Sequence, residues 1–228
     1  EIAYLRVLDL VNEDPKLRSE ISNNLAASIY KQGEIAREAL DHRGASEHFL
    51  RIADVAPNSE IRPIAAFDAG AALIAVSDWT AAAGVLETFR DQFPNHELNA
   101  QSTQQLAHIY REDAQLSRAA AEYERVAREA TDTQVRRESL LLAAELYEEG
   151  EAFEASLGAY RNFVTQFTEP IEPGVVARSK MVTLYQKTGN ETDRRNMLRE
   201  IVEIDRRAGD ARTDVVRVHA GRAALTLS

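Results

Sequence analysis

Histidine and acidic side chains are the groups in this sequence that could bind a metal ion or catalyse hydrolysis. No histidine has the His-x-x-x-His or Glu-x-x-His spacing that places two metal ligands on one helical face. The absence of cysteine excludes disulfides, thiolate zinc sites and a cysteine nucleophile. The glycines occur singly and form no phosphate-binding loop. The sequence therefore predicts no metal, cofactor or nucleotide site. The histidines are His42, His48, His96, His108 and His219.

Acidic residues are abundant, so a pair of carboxylates that cleaves glycosidic bonds has to be considered. Glu138-Ser139 resembles the catalytic doublet of cell-wall lytic enzymes, to which helical arrays can be attached. The glycine-rich segment of that family is replaced here by Leu140-Leu141-Leu142. Glu138 is therefore interpreted as a solvated acid in the first turn of a helix, where the helix dipole favours it. The sequence predicts a non-enzymatic chain, and the alternative is the helical, non-catalytic part of a larger cell-wall-active enzyme.

Composition and charge narrow the class of protein. The chain has 228 residues, a formal net charge of −10, and only 10 glycines and 6 prolines. Low glycine and proline content with abundant alanine favours helices, and the negative charge argues against nucleic acid as the partner. The longest apolar run, Ala69 to Val76, is far shorter than the ~20 residues of a membrane span. The start, Glu1-Ile2-Ala3, has neither Met nor a signal-peptide pattern, so we expect a piece of a longer chain.

Large side chains recur at a fixed interval, which indicates an internal repeat. In the second helix of each predicted hairpin the recurring positions are 37, 37, 37 and 38 residues apart: Phe49, Leu86, Tyr123, Tyr160 and Leu198. In the first helix they are 37, 37 and 38 apart: Leu73, Tyr110, Tyr147 and Tyr185. The first hairpin differs, because Tyr30 and Phe49 are 19 apart, as if six residues were inserted. No segment alternates with the period of a strand, so an all-α array of antiparallel helical hairpins is predicted.

The residues around these positions resemble the tetratricopeptide repeat (TPR) family, whose pattern pairs small and aromatic side chains between two helices. The third hairpin has Leu106-Ala107-x-x-Tyr110, followed by Ala119 and Tyr123. The fifth is the weakest match, with Arg194 where a small residue belongs. The resemblance implies an α-solenoid wound as a right-handed superhelix. It also implies a scaffold that binds a protein or peptide segment in a concave groove lined by the first helices.

The repeat register predicts one solenoid over residues 1–228. Its segments are the end of a preceding repeat at 1–18, repeat 1 with its insertion at 20–58, repeats 2 to 5 at 62–97, 99–132, 136–169 and 174–207, and an unpaired helix at 211–228. Exposed apolar side chains of that last helix, such as Val215, Val218 and Leu225, make self-association an alternative to a foreign partner.

Projection of the register onto the first helices gives the groove candidates. They are Phe67, Ile74, Gln104, His108, Arg111, Glu145, Glu148, Thr183 and Gln186. Phe67 and Ile74 are expected to form an apolar anchor, unless the first hairpin buries them. Arg111 is expected near Glu145 and Glu148. The Lys and Asn set with which the family clamps a terminal carboxylate is missing.

Charge and hairpin endings add two weaker indications. Residues 138–177 carry a net charge of −7, interpreted as a solvated face or as a docking surface for a basic segment. The endings Phe89-x-x-x-Phe93-Pro94 and Phe163-x-x-x-Phe167 resemble those of bacterial cell-envelope repeat proteins. A periplasmic or envelope location is therefore expected, with the cytoplasm as the alternative.

Overall fold

Helices make up most of the chain in the computed structural model, which describes residues 1–10 and 14–228. These ranges contain twelve α-helices, a 3-10 turn at Gly209–Ala211 and no strand, which confirms the all-α prediction. The helices are α1 Ile2–Leu10, α2 Pro15–Glu38, α3 His42–Val55, α4 Arg62–Ala75, α5 Trp79–Gln92, α6 Asn99–Glu112, α7 Leu116–Glu129, α8 Thr133–Glu149, α9 Phe153–Gln166, α10 Ile171–Lys187, α11 Glu191–Arg207 and α12 Asp214–Leu227. The even-numbered helices from α2 on are called A helices, and the odd-numbered ones from α3 on are called B helices.

Each A helix is separated from the following B helix by a residue in the left-handed conformation. These residues are Leu40, Ser77, Ala114, Glu151 and Gly189, with φ between 55° and 73°. A left-handed residue ends a helix and reverses the chain. In the turns whose next residue is aspartate or asparagine, that side chain caps the B helix, as Asp78 does for the amide of Ala81. The conformation of the backbone at the turns therefore repeats with the same period as the hairpins.

The chain forms two compact units, Glu1–Ala114 and Gln115–Ser228. In the first unit, the six helices pack in chain order, each on the next. In the second unit, α7 to α12 also pack in chain order, and α12 additionally contacts α10. Each unit contains two complete hairpins, and the helices of the third predicted hairpin, α6 and α7, belong to different units.

Small residues allow the helices of a hairpin to approach closely. An added Cβ at Gly70 would lie 2.6 Å from Cδ2 of Leu86, which is fully buried. In the second unit, the buried hydroxyl of Ser156 donates a 2.7 Å hydrogen bond to the carbonyl oxygen of Ala144. These contacts explain why the repeat needs glycine, alanine or serine at one side of the crossing.

The first hairpin has the same spacing between its two helices as the second hairpin. The insertion expected between Tyr30 and Phe49 is therefore not present. Gly33 lies against the ring of Phe49 as Gly70 lies against Leu86, at the same sequence separation. The amide of Asp41 donates to the carbonyl of Ala36, as that of Asp78 does to Leu73. Ala36 is therefore the counterpart of Leu73, and the extra length lies at the N-terminal end of the 24-residue helix α2.

Two glycines of this unit should respond in opposite directions to alanine. Gly70→Ala forces a methyl group into Leu86 and should lower the free energy of unfolding by ~1–3 kcal/mol. Gly84→Ala lies in the middle of α5, where a Cβ meets nothing within 4 Å, and should raise it by ~0.5–1 kcal/mol. Urea titration measures both changes. Equal effects of the two variants would contradict the assigned crossing.

Tyrosine hydroxyls join neighbouring hairpins at equivalent positions. Tyr110 donates to Glu87 at 2.6 Å in the first unit, and Tyr147 donates to Glu124 at 3.3 Å in the second. At the next equivalent position the direction reverses, because Arg161 donates to the hydroxyl oxygen of Tyr185 at 3.1 Å. Burial and then the Glu124 carboxylate raise the pKa of Tyr147 to about 12.

Alkaline pH should therefore destabilise the protein. An unfolded tyrosine loses its proton near pH 10, whereas the pKa of folded Tyr147 is about 12. Between these values the unfolded state binds fewer protons, so stability that is complete below pH 10 is lost as the pH rises toward 12. Melting temperatures measured from neutral pH to pH 12 should fall, and Tyr147→Phe should make the fall less steep. An unchanged slope in that variant would contradict the assignment.

Candidate partner-binding surface

In the first unit, the exposed sides of two successive A helices enclose a shallow depression of about 460 Å³. Ala71 and Ile74 come from α4, and Gln104 and His108 come from α6. Three predicted groove residues, Ile74, Gln104 and His108, therefore lie together. Gln101 and Gln105 complete the lining. The surface combines a small apolar wall with amide groups that can both donate and accept hydrogen bonds.

Gln105 and His108 give this depression its chemistry. The amide oxygen Oε1 of Gln105 is buried and has no hydrogen-bond partner among the described residues. An unsatisfied buried acceptor costs ~1–3 kcal/mol. The half-exposed ring of His108 stands edge-on to Trp79, with ring centroids 6.0 Å apart. Its Nδ1 lies 3.8 Å from Oε1 of Glu112, an oxygen that is also 3.6 Å from Arg111.

In the second unit, a depression of about 330 Å³ lies between the A helices α10 and α12. Leu198 and Ile201 of the B helix α11 contribute apolar atoms to it. The hydroxyl of Thr183, a predicted groove residue, lies in its lining and donates to the carbonyl of Ser179 in its own helix. The lining also includes the nitrogen-bearing side chains of Lys180, His219 and Arg222. The depression is thus apolar inside and basic around it.

Glu148 is held by two lysines of the next A helix. Its carboxylate lies 3.6 Å from Nζ of Lys180 and 3.4 Å from Nζ of Lys187, and only 18% of its side chain is exposed. Burial, followed by the charges of Glu148 and Glu145, raises the pKa of Tyr160, whose buried hydroxyl has no partner among the described residues. Part of the predicted acidic surface is therefore used to join α8 to α10.

The remaining groove candidates line neither depression. The half-buried ring of Phe67 packs edge-on against Phe89, with centroids 5.9 Å apart. Glu145 and Gln186 are exposed on α8 and α10. Arg111 belongs to the first unit and the two glutamates to the second. The expected proximity of Arg111 to Glu145 and Glu148 stays a prediction.

His219 and Arg222 are not among the residues predicted from the repeat register, and the lengths of the helices explain why. Helix α11 has 17 residues where α3, α5, α7 and α9 have 14, and a 3-10 turn follows it. The repeat register therefore cannot be projected from α10 onto α12. Gln105 follows the projected position Gln104 by one residue, so a wider helical face would have included it.

Over residues 1–10 and 14–228, no three histidine, aspartate or glutamate side chains converge as a metal-binding group. No helix in that part of the chain combines the length and the apolar character needed to cross a bilayer. The apolar side chains Val215, Val218 and Leu225 of α12 are exposed, as expected.

Comparison with known proteins gives structural similarities only. No protein-family model and no curated protein matches the chain. A crystal structure of MamA protein aligns with 81% of this chain and 94% of its own, at 14% identity and a TM-score of 0.46. A tetratricopeptide repeat protein from Parabacteroides merdae aligns with 88% of this chain and 76% of its own, at 14% identity and a TM-score of 0.47. Nothing about a partner or an activity of this chain follows from these similarities.

The repeat register of the chain itself defines the class of fold. The hairpins recur every 37 or 38 residues, each with its left-handed turn. Small residues lie at the helix crossings, as at Gly70 and Ser156. Within each unit this is a tandem helical-hairpin fold of the tetratricopeptide type, as the resemblance in sequence implied.

Proposed function

We propose that this chain is a non-enzymatic scaffold that binds a segment of another protein at the A-helix surface of each unit. The observation that carries the proposal is the convergence of Ala71, Ile74, Gln104 and His108, from two helices, on one depression. None of these four side chains belongs to the hydrophobic core of the unit. Exposed side chains that converge on a concavity without stabilising the core are available for a partner.

The depression in each unit favours a bound segment of particular chemistry. Glutamine amides match the N–H and C=O groups of an extended peptide backbone, and Gln101 and Gln104 are both exposed in the lining. The depression in the second unit favours an apolar side chain next to an acidic one, because Leu198 and Ile201 are accompanied by Lys180 and Arg222. We infer a partner segment that is extended or helical and carries acidic and apolar residues.

Site-specific photo-crosslinking tests this proposal. A photoreactive amino acid at Gln104 or Thr183, both exposed on A helices, should crosslink to one and the same partner in the source cells. The matched controls are Asn95 in a loop and Thr165 on the B helix α9, which are also exposed and line neither depression. Crosslinks from the control positions alone would overturn the proposal.

We also propose that the protein acts in a bacterial cell envelope. The support is the repeat ending shared by Phe89-x-x-x-Phe93 and Phe163-x-x-x-Phe167, which resembles the endings of bacterial cell-envelope repeat proteins. In each ending the two rings pack against each other, at 5.6 and 5.4 Å between centroids. Release of the full-length protein with the periplasmic fraction of the source cells would support this location. Recovery in the cytoplasmic fraction would contradict it.

A further inference from the structure

A third depression lies on the B-helix side of the first unit and takes no part in the proposed A-helix surface. It has a volume of about 450 Å³ and lies between α3 and α5, with α4 also contributing. Its walls include Leu50 and Ala53 of α3, Ala66 of α4, and Ala81, Gly84 and Val85 of α5. We call it the B-helix groove. Leu50 is 38% exposed, so the groove presents apolar atoms to solvent.

The second unit contains the same position without the apolar surface. Two repeats later, a depression of about 270 Å³ is lined by Glu124, Arg128, Leu140, Asn162 and Gln166, among others. Helices α7 and α9 have the same 14-residue length as α3 and α5, so the positions correspond one to one. Leu50 corresponds to Glu124, and the larger Leu140 replaces Ala66. The fold therefore does not require an open apolar groove at this position.

Gly84 leaves the middle of α5 without a side chain beside the groove, a feature that α9 shares at the equivalent Gly158. The residue lies in the middle of α5, where glycine is less favourable than alanine. No close packing explains it, because an added Cβ would meet nothing within 4 Å. With Ala53 and Ala81 in the same lining, Gly84 lets the backbone of another helix approach closely.

The exposed carboxylates beside the groove determine the charge of a suitable partner. Glu47 and Asp54 lie one turn before and after Leu50 on α3, and Asp91 lies two turns after Gly84 on α5. None of the three has a hydrogen bond or ion pair with another described residue. Their counterparts in the second unit are Ala121, Arg128 and Thr165, so the negative charge is also particular to this groove.

The one arginine in the groove lining is already bound within the unit. Arg62 donates to the carbonyl oxygen of Pro57 at 3.0 Å and to the amide oxygen of Gln92, and its guanidinium lies over Phe93 at 5.3 Å. In the second unit, Arg136 donates to Gln166 in the same way. This arginine is a structural feature of both units, and the three carboxylates beside the groove outnumber its single positive charge.

We propose that the B-helix groove binds a basic amphipathic helix of a partner protein. Apolar side chains at i, i+3, i+4 and i+7 of that helix would contact Leu50, Ala66 and Val85, with its backbone close to Gly84. Lysine or arginine residues on its flanks would face Glu47, Asp54 and Asp91. This surface is separate from the A-helix depressions, so it can bind a second partner.

Fluorescence anisotropy with a model peptide tests this inference. The probe is a labelled peptide of about 14 residues with leucine at i, i+3, i+4 and i+7 and lysine elsewhere. It should bind the whole chain, whereas the same peptide with glutamate in place of lysine should not. Gly84→Leu fills the groove and should weaken binding by about tenfold or more. The matched control is Gly158→Leu at the equivalent position of α9, where an added Cβ also meets nothing within 4 Å.

The outcomes separate groove binding from its alternatives. Helicity and melting of Gly84→Leu should be retained, because leucine favours a helix more than glycine does. Equal weakening by Gly84→Leu and Gly158→Leu, or by neither, would show non-specific attraction of the basic peptide and overturn the proposal. Light scattering tests for a second copy as the occupant. A wild-type dimer that Gly84→Leu converts to a monomer would also overturn it. A crosslinking result that overturns the proposed A-helix surface would not change the outcome of this peptide-binding test.

Discussion

Truncation of Phe163 to alanine should lower the free energy of unfolding by ~3–5 kcal/mol. Phe163 is completely buried in α9, and its ring lies 5.4 Å from that of Phe167. Removal of the ring leaves a cavity that the neighbouring helices cannot fill, since helix backbones do not collapse onto a lost side chain. Guanidinium titration monitored by circular dichroism measures the change.

Phe153→Ala is the matched control for this variant. Phe153 lies in the same helix but is only half-buried, and its ring contacts the ammonium group of Lys187 at 5.1 Å. Its truncation should cost clearly less than that of Phe163. A loss of less than about 1 kcal/mol for Phe163→Ala would mean that the ring is not part of a packed core.

Reversal of the charge at Arg222 should weaken partner binding by ~10- to 100-fold, about 1.4–2.8 kcal/mol. Arg222 lines the depression of the second unit and would attract an acidic residue of the partner. Calorimetric titration of Arg222→Glu with the partner identified by crosslinking measures the loss of affinity. This loss should become smaller as salt is added.

Arg199→Glu provides the control for net charge. Arg199 is exposed on α11 and lines neither depression, and its replacement changes the net charge by the same amount. Its effect on affinity should be small. Equal losses for the two variants would indicate long-range repulsion rather than a contact at the depression.

The structure also changes the design of a charge-reversal experiment that the sequence suggests. From sequence, Arg111→Glu combined with Glu148→Arg should weaken binding while melting stays unchanged. Glu148, however, lies between Lys180 and Lys187, so an arginine there would bring three positive charges together. The combined variant would lose stability for a reason unrelated to any partner, which makes Arg222 the cleaner position.

The repeat could be predicted from sequence because its determinants are local or pairwise. A left-handed residue such as Ser77 ends each A helix, and a small residue such as Gly70 faces a large one such as Leu86. The pairing of small with large residues produces a pattern at a constant spacing, whereas five different residue types occupy the left-handed positions. In the first hairpin, Tyr30 was wrongly assigned to the repeat position of the first helix, because it is an aromatic residue close to that position. Its hydroxyl donates to Asp68, whereas Gly33 and Ala36 occupy the repeat positions.

The partner surfaces could be predicted only in part. Projection of the repeat register predicted Ile74, Gln104 and His108 because these residues lie on regular helices of equal length, α4 and α6. It missed His219 and Arg222, since the longer α11 and the turn at Gly209–Ala211 shift the register of α12. Sequence also gave no sign that Phe67 packs on Phe89.

By itself, the sequence determined that this chain is a series of helical hairpins, and the interval at which they recur. Those properties depend on backbone conformation and on contacts between residues close in the chain. Only the tertiary structure decided that Lys180 and Arg222 line one depression, and that Leu50 and Gly84 line another, because the residues of each pair lie on separate helices. The lengths and crossing angles of the helices determine which residues of different helices line the same depression. A one-dimensional pattern does not contain that information when those lengths vary.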